Sequence, residues 1–242
     1  MNIRLDIEYD GSLYAGWQIQ KKDRSVQSSI EEALFTILKS RVKLIGAGRT
    51  DSGVHARGQV ANFKVESLAV GLPELKRSLN GLLKEGITVR KVSAAAEDFH
   101  ARYSAKSRNY VYSISKGKRS VDRNQYFCLN YDLDMGLVRQ AACKLLGRHD
   151  FKNLSVATGE KSTLCEIRQL DIEEREREVL ITITADRFLH KMVRMVVGLL
   201  IDIGRGKAEI GYLDDVLSGK KIKRKQGFAA PPQGLCLMAV EY

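Results

Sequence analysis

Proline is nearly missing from this chain, with three in 242 residues. With 44% hydrophobic residues, that excludes a Pro-rich linker protein and a chain too polar to bury a core. The four cysteines, Cys128, Cys143, Cys165 and Cys236, are scattered without a C-x-x-C pair, and with the four histidines they form no metal-ligand cluster. They read as reduced, mostly buried thiols rather than staples or zinc ligands. The longest apolar stretch, Met192 to Ile203, is interrupted by Arg194 and Asp202 and is too short to span a bilayer. Met1 to Asp6 lacks the apolar core of a signal peptide. A soluble, cytoplasmic chain is expected. Acid is also in deficit: 29 Asp+Glu stand against 40 Lys+Arg, for a net charge of +11. That balance favours a polyanionic partner, nucleic acid first.

What is present begins with one polar stretch, Gly46-Ala47-Gly48-Arg49-Thr50-Asp51-Ser52-Gly53-Val54-His55-Ala56. It lies between an apolar run, Val42 to Ile45, and an alternating one, Gln59 to Val65. Two strands could be joined by a tight turn, yet eleven residues are used. Three glycines allow positive φ and close approach to a ligand, while Arg49, Thr50, Asp51, Ser52 and His55 supply charge and hydrogen bonds. A polar loop between buried strands is a candidate site. Residue types alone favour a plainer reading, with Asp51 and Ser52 bonding their own backbone and Arg49 solvated. A nucleotide loop ranks lower, because the third glycine of G-x-G-x-x-G is lacking and no Gly-Lys-Ser/Thr follows.

Taken in order, Asn2 to Tyr9 alternates as a half-buried strand. Asp10-Gly11 turns, and the only tryptophan, Trp17, is expected as a core anchor. Val26 to Leu38 has helical spacing with Ser25 as cap. Pro73 opens a second helix whose inner face is Leu75, Leu79, Leu82 and Leu83, and Ile87 to Val92 closes the half as a strand. The order β-α-β-β-α-β is that of a ferredoxin-like unit. A second half begins near Phe99. It is expected to hold a strand at Asn109 to Ser115 with Tyr126 to Leu133 as partner, and a helix capped by Asp134. A strand pair at 167–172 and 179–185, an apolar helix from Phe188 to Ile203, a short helix at 213–217 and a last strand from Leu235 complete it. The expected architecture is α+β: two ferredoxin-like halves, residues 1–98 and 99–242, sharing a mainly antiparallel sheet with a central RNA-binding cleft.

Other features carry chemistry. Arg194 has apolar neighbours on nearly every side of its helix, so it either snorkels to the surface or is held beside an anion; His190 at i−4 would extend a polar stripe. Tyr110, near Arg102, Tyr103, Lys106 and Arg108, suits stacking on an exposed base with cations on the phosphates, or is an ordinary cross-strand aromatic. Lys220-Lys221-Ile222-Lys223-Arg224-Lys225 is a solvated loop or an RNA-backbone contact.

The Gly46–Ala56 loop resembles the catalytic motif of the TruA-type tRNA pseudouridine synthases. Further segments agree in order: Tyr9-Asp10-Gly11 with Gly16-Trp17-Gln18, Val26-Gln27, Phe99-His100-Ala101-Arg102-Tyr103, and Arg108-Asn109-Tyr110-Val111-Tyr112. His149-Asp150-Phe151, Phe188 to Arg194, and Gly234-Leu235-Cys236-Leu237 continue the match. It runs over essentially the whole chain; residues 152–168 depart from it, and no RNA contact is carried over there.

The resemblance implies an isomerase acting on uridines 38–40 of the tRNA anticodon stem-loop. The N1–C1′ bond is cleaved, the base rotates, and a C5–C1′ bond forms, with no redox cofactor and no metal required. It implies that Asp51 is the essential carboxylate, adding to ribose C1′ or to uracil C6, or removing the 2′ proton. Arg194 is then its ion-pair partner. Tyr110 stacks on the target base and is a possible proton acceptor, Leu235 packs on the other side, and Arg49 holds the RNA backbone. Phe99, His100, Ala101, Arg102 and Tyr103 are further substrate-binding candidates. A homodimer sharing one tRNA is implied as well. Two rivals make different predictions. A passive RNA-binding protein would keep its effect in Asp51→Asn, and a nuclease using Asp51 and His55 as metal ligands would be silenced by chelator.

Overall fold

In a computed structural model, residues 1–20, 23–83, 85–159, 162–220, 222 and 227–242 are described. The chain forms two compact units, Met1–Lys106 with Cys236–Tyr242, and Ser107–Leu235. The first unit runs on through residues 99–106 and takes in the last strand of the chain. The cause is visible in the bonds of 99–106. Asn2 Nδ2 donates to Phe99 O at 2.8 Å, Tyr242 Oη donates to Ala101 O at 2.9 Å, and Lys106 N–H donates to Glu241 O at 2.8 Å.

The first unit contains β1 (Asn2–Tyr9), α1 (Val26–Leu38), β2 (Ile45–Gly46), β3 (His55–Lys64), α2 (Leu72–Leu82) and β4 (Ile87–Ala95). This is the expected β-α-β-β-α-β order. The strands run β4-β1-β3, antiparallel throughout. One edge of β3 holds both β2 (antiparallel, at Ala61 and Asn62) and β10 (Leu235–Glu241; parallel, at His55 and Ala56). Alternation on β1 buries Ile3, Leu5 and Ile7 completely, each stabilised by roughly 1.5–3 kcal/mol of burial. Ser25 caps α1 in a reciprocal box with Ser28, and Pro73 sits in the first turn of α2. Leu75 and Leu79 face inward as expected, but Leu82 is exposed. Strand β2 starts at Ile45, later than the apolar run 42–45 suggested. Side chains of α1 take the backbone instead: Leu44 N–H donates to Glu31 Oε1 at 2.9 Å, and Gln27 Nε2 donates to Leu44 O at 3.1 Å.

The second unit holds β5 (Ser107–Lys116), β6 (Phe127–Leu129), α3 (Met135–Leu145), β7 (Gly147–Asp150), β8 (Leu164–Glu174), β9 (Glu178–Ala185), α4 (Met192–Gly204) and α5 (Tyr212–Leu217). Its antiparallel run is β5-β9-β8-β7. The main partner of β5 is β9, from Arg108↔Ala185 to Ser115↔Glu178. The expected partner, β6, pairs parallel over three residues only. A hairpin needs a short turn, whereas residues 117–126 form a long excursion through a 3₁₀ turn at Arg123–Gln125 and bring the chain back in the same direction. Asp134 caps α3 through Leu137 N–H at 3.0 Å. Helix α4 begins at Met192 rather than Phe188, because Lys191 adopts a left-handed φ of 61°. His190 therefore lies before the helix and does not extend the polar face of Arg194. Of the cysteines only Cys165 is buried; Cys128 and Cys236 are half-buried and Cys143 is exposed. Among the described residues no helix is long and apolar enough to cross a membrane.

Candidate active site

The loop after β2 is held by buried polar groups rather than by its own turn residues. Ala47 N–H donates to Val60 O at 2.8 Å, and Gln59 Nε2, on a fully buried side chain, donates to Gly48 O at 3.0 Å. The same amide donates to Tyr9 Oη at 3.3 Å, and Tyr9 Oη lies 2.8 Å from Thr50 Oγ1. Tyr9 Oη thus accepts from Gln59 and shares a hydroxyl–hydroxyl bond with Thr50 in which either oxygen can donate. Burial pushes the Tyr9 hydroxyl far above its ordinary pKa, against the pull of the Thr50 and Gln59 bonds, so it stays protonated.

Two glycines outside the loop let the chain approach it. A Cβ on Gly11 would stand 2.0 Å from Val54 O, and one on Gly16, where φ is +95°, 2.6 Å from Thr50 O. Trp17, 3% exposed, donates its backbone N–H to Thr50 O at 3.1 Å and packs its indole over Gly46. Within the loop only Gly53 uses positive φ, and Gly48 has open space where a Cβ would be. Ser52 Oγ donates to Tyr14 O at 3.3 Å, not to its own backbone. His55 Nδ1 is 3.2 Å from both Gly11 N and Asp10 Oδ1. The Asp10 oxygen already accepts from Ser12 N–H and Ser12 Oγ, so we read Nδ1 as acceptor of the Gly11 N–H. The loop is thus tied down at Gly48, Thr50, Ser52, Val54 and His55. Asp51 sits at the start of the turn closed by Val54 N–H to Asp51 O at 3.1 Å; it is half-buried and Arg49 is exposed.

Three expected residues lie in the second unit. Tyr110 is 7% exposed and packs edge-on against Phe188, with ring centroids 5.2 Å apart at 89°. Its neighbour Arg108 donates Nη1 to Asp186 O at 2.8 Å. Arg194 does not snorkel freely: its Nε donates to Ala230 O at 2.7 Å, while Ala230 N–H donates to Arg194 O at 2.9 Å. The segment 227–230 reaches α4 closely enough that a Cβ on Gly198 would meet Phe228 O at 1.8 Å. From there the fully buried Tyr112 donates Oη to Pro231 O at 2.8 Å. A 3₁₀ turn at Pro232–Gly234 then delivers Leu235, 5% exposed. One segment thus fixes both Arg194 and Leu235.

The five residues 99–103 divide. Phe99 packs against Tyr242 with ring centroids 4.9 Å apart and planes tilted by 54°, and Ala101, fully buried, donates its N–H to Asn62 Oδ1 at 2.9 Å. Arg102 and Tyr103 are exposed and His100 half-buried. Of the basic run at 220–225, Lys221 and Lys223 to Lys225 lie outside the described residues. Among the described residues no three His, Cys, Asp or Glu side chains are grouped to hold a metal ion. The residues sequence reasoning missed are Thr50 and Gln59 as partners of Tyr9. The readable signal was a glutamine at the start of an alternating strand.

The chain is similar to known proteins over its whole length. A family model described as tRNA pseudouridine synthase matches residues 7–104 and 141–242. The protein named tRNA pseudouridine synthase A 2 from Clostridium perfringens (strain 13 / Type A) is 38% identical over 244 residues, covering 100% of this chain and 99% of that one. That named tRNA pseudouridine synthase A from Thermoanaerobacter sp. (strain X514) has the same identity and coverage. Its namesake from Syntrophotalea carbinolica is 39% identical over 246 residues, covering 99% of this chain and 96% of that one.

Proposed function

The chain belongs to the tRNA pseudouridine synthase family, and from that premise we propose that it isomerises uridines 38–40 of the tRNA anticodon stem-loop, with Asp51 as the acting carboxylate. As an isomerase it converts uridine to pseudouridine. The observation that carries the assignment to Asp51 is its placement. It is half-buried, its backbone closes a turn, and its neighbours Thr50 and Val54 are 7% and 1% exposed. A carboxylate on so fixed a loop is pre-positioned for attack.

The reaction breaks N1–C1′, turns the base, forms C5–C1′ and moves the C5 proton off the ring while N1 gains one. Asp51 attacks C1′ or C6, or removes the 2′ proton; each route needs it ionised, which a neighbouring cation favours. Arg194 is assigned that task. Its Nε is already committed to Ala230 O, which fixes the plane in which the rest of the guanidinium lies. Tyr110, its ring held by Phe188, stacks on the target base and relays the C5 proton, giving up its own hydroxyl proton as it takes the new one; Leu235 packs opposite. Arg49, exposed beside Asp51, holds the backbone while the nucleotide leaves its stack, at a cost of a few kcal/mol. Of residues 99–103, the accessible His100, Arg102 and Tyr103 extend the substrate contact, over the buried Ala101 and the packed Phe99. The net charge of +11 supports salt-dependent tRNA binding. Action as a homodimer in the cytoplasm rests on the family resemblance alone.

The test is tritium release from tRNA labelled at uridine C5, comparing wild type with Asp51→Ala. Wild type is expected to release label while Asp51→Ala folds, binds tRNA and releases none. Turnover by Asp51→Ala would end the assignment of the carboxylate.

A further inference from the structure

Tyr103 is the most exposed large hydrophobic side chain among the described residues, at 76%. Its surroundings do not resemble a protein-docking patch, because Arg102, Ser104 and Lys106 around it are exposed and polar. Nor is it a loose surface tyrosine. Its ring lies against that of His100, with centroids 4.4 Å apart and planes 33° apart, and the Arg102 guanidinium carbon is 5.5 Å from its centroid.

The backbone beneath is closed by its own side chains. His100 Nδ1 accepts from Arg102 N–H at 3.2 Å and Tyr103 N–H at 3.3 Å. Ser104 Oγ accepts from His100 N–H at 3.1 Å, and Ser104 N–H returns to His100 O at 2.9 Å. The turn is in turn anchored to the sheet of the first unit. Ala101 bonds Asn62 and Tyr242, and Asn2 bonds Phe99 O. An aromatic ring is thus held in water at little further cost in conformational freedom, with a cation beside it.

We infer that the His100–Tyr103 turn is a stacking platform for one unpaired nucleobase of the tRNA, with Arg102 on an adjacent phosphate. The inference rests on the tRNA reading above and deepens it, giving this substrate-contact segment a base to stack on and a phosphate to pair. A π face flanked by a guanidinium on a chain of net charge +11 suits a single-stranded nucleotide, which offers a base to stack and a phosphate to pair. An apolar protein partner would require the ring to be set in a larger apolar surface.

Tyr103→Trp supplies the direct probe, since the chain's one tryptophan, Trp17, is 3% exposed and forms a constant background. Titration with tRNA should quench the new fluorescence. Tyr103→Ala should raise Kd about tenfold, the order expected for loss of one stacked base, without changing the slope of log Kd against log salt. Arg102→Ala should weaken binding and reduce that slope by about one. No quenching together with a wild-type Kd for Tyr103→Ala would overturn the platform. So would a change in sedimentation of Tyr103→Ala at unaltered Kd, which would make the ring a contact between copies. Absence of tritium release from wild type, with quenching intact, would remove the catalytic reading and leave the platform standing.

Discussion

The hydroxyl oxygens of Tyr9 and Thr50 lie 2.8 Å apart between two buried residues that are forty-one positions apart in the chain, Thr50 standing one residue before Asp51. Tyr9 lies on β1 and Thr50 in the loop, so the first strand of the fold holds the loop by a bond that only the folded chain can make. Removing one member leaves its buried partner unsatisfied, which costs about 1–3 kcal/mol. Tyr9→Phe should lose stability of that order in urea unfolding and lower kcat more than it raises KM. A Tyr9→Phe/Thr50→Val double-mutant cycle should show coupling; additive effects would mean the bond does not hold the loop.

Gly11 and Gly16 lie where a side chain would strike the loop backbone at Val54 O and Thr50 O. Alanine usually stabilises when it replaces glycine in a permissive conformation; here the sign reverses. Gly11→Ala should cost about 1–3 kcal/mol through overpacking and abolish most turnover. Gly48→Ala, with open space around it, should melt like wild type. Equal melting temperatures for Gly11→Ala and Gly48→Ala would contradict the close approach.

Arg194 uses Nε for Ala230 O, so its proposed anion contact falls to the Nη groups. A lysine has one nitrogen and cannot serve two partners in a fixed plane. Arg194→Lys should therefore lose about as much kcat as Arg194→Leu, while tRNA affinity changes little. Near-wild-type kcat in Arg194→Lys at neutral pH would reduce the residue to a charge without geometry.

Burial pushes the Cys236 thiol up to about 11, against the pull of Arg57. The native state thus favours the protonated thiol, and its contribution to stability is whole below pH about 9 and fades as pH rises towards 11. At pH 8 iodoacetamide should label exposed Cys143 well before Cys236. Equal labelling rates by mass spectrometry would mean the thiol is not sheltered.

The elements with strong local patterns were legible in advance. Alternation in Ile3, Leu5 and Ile7, the caps Ser25 and Asp134, and Pro73 at a helix start act within a few residues, and each stands where its spacing placed it. Less was legible where a distant group took over a backbone atom. Gln27 and Glu31 draw Leu44 out of a strand, and β9 replaces β6 as the main partner of β5. The left-handed Lys191 likewise starts α4 late.

By itself the sequence determined the family, the loop that carries Asp51, the basic charge that suits RNA, and the helix and strand periods, because these are properties of residue type and spacing. The tertiary structure alone decided what makes the loop rigid and what holds Arg194. Tyr9, Thr50 and Gln59 meet only when β1 and β3 pair, Gly11 and Gly16 matter only once the loop lies against them, and Ala230 reaches Arg194 only after Gly198 has let two backbones touch. Periodicity records which face of an element is buried; it does not record which buried polar atom will answer which.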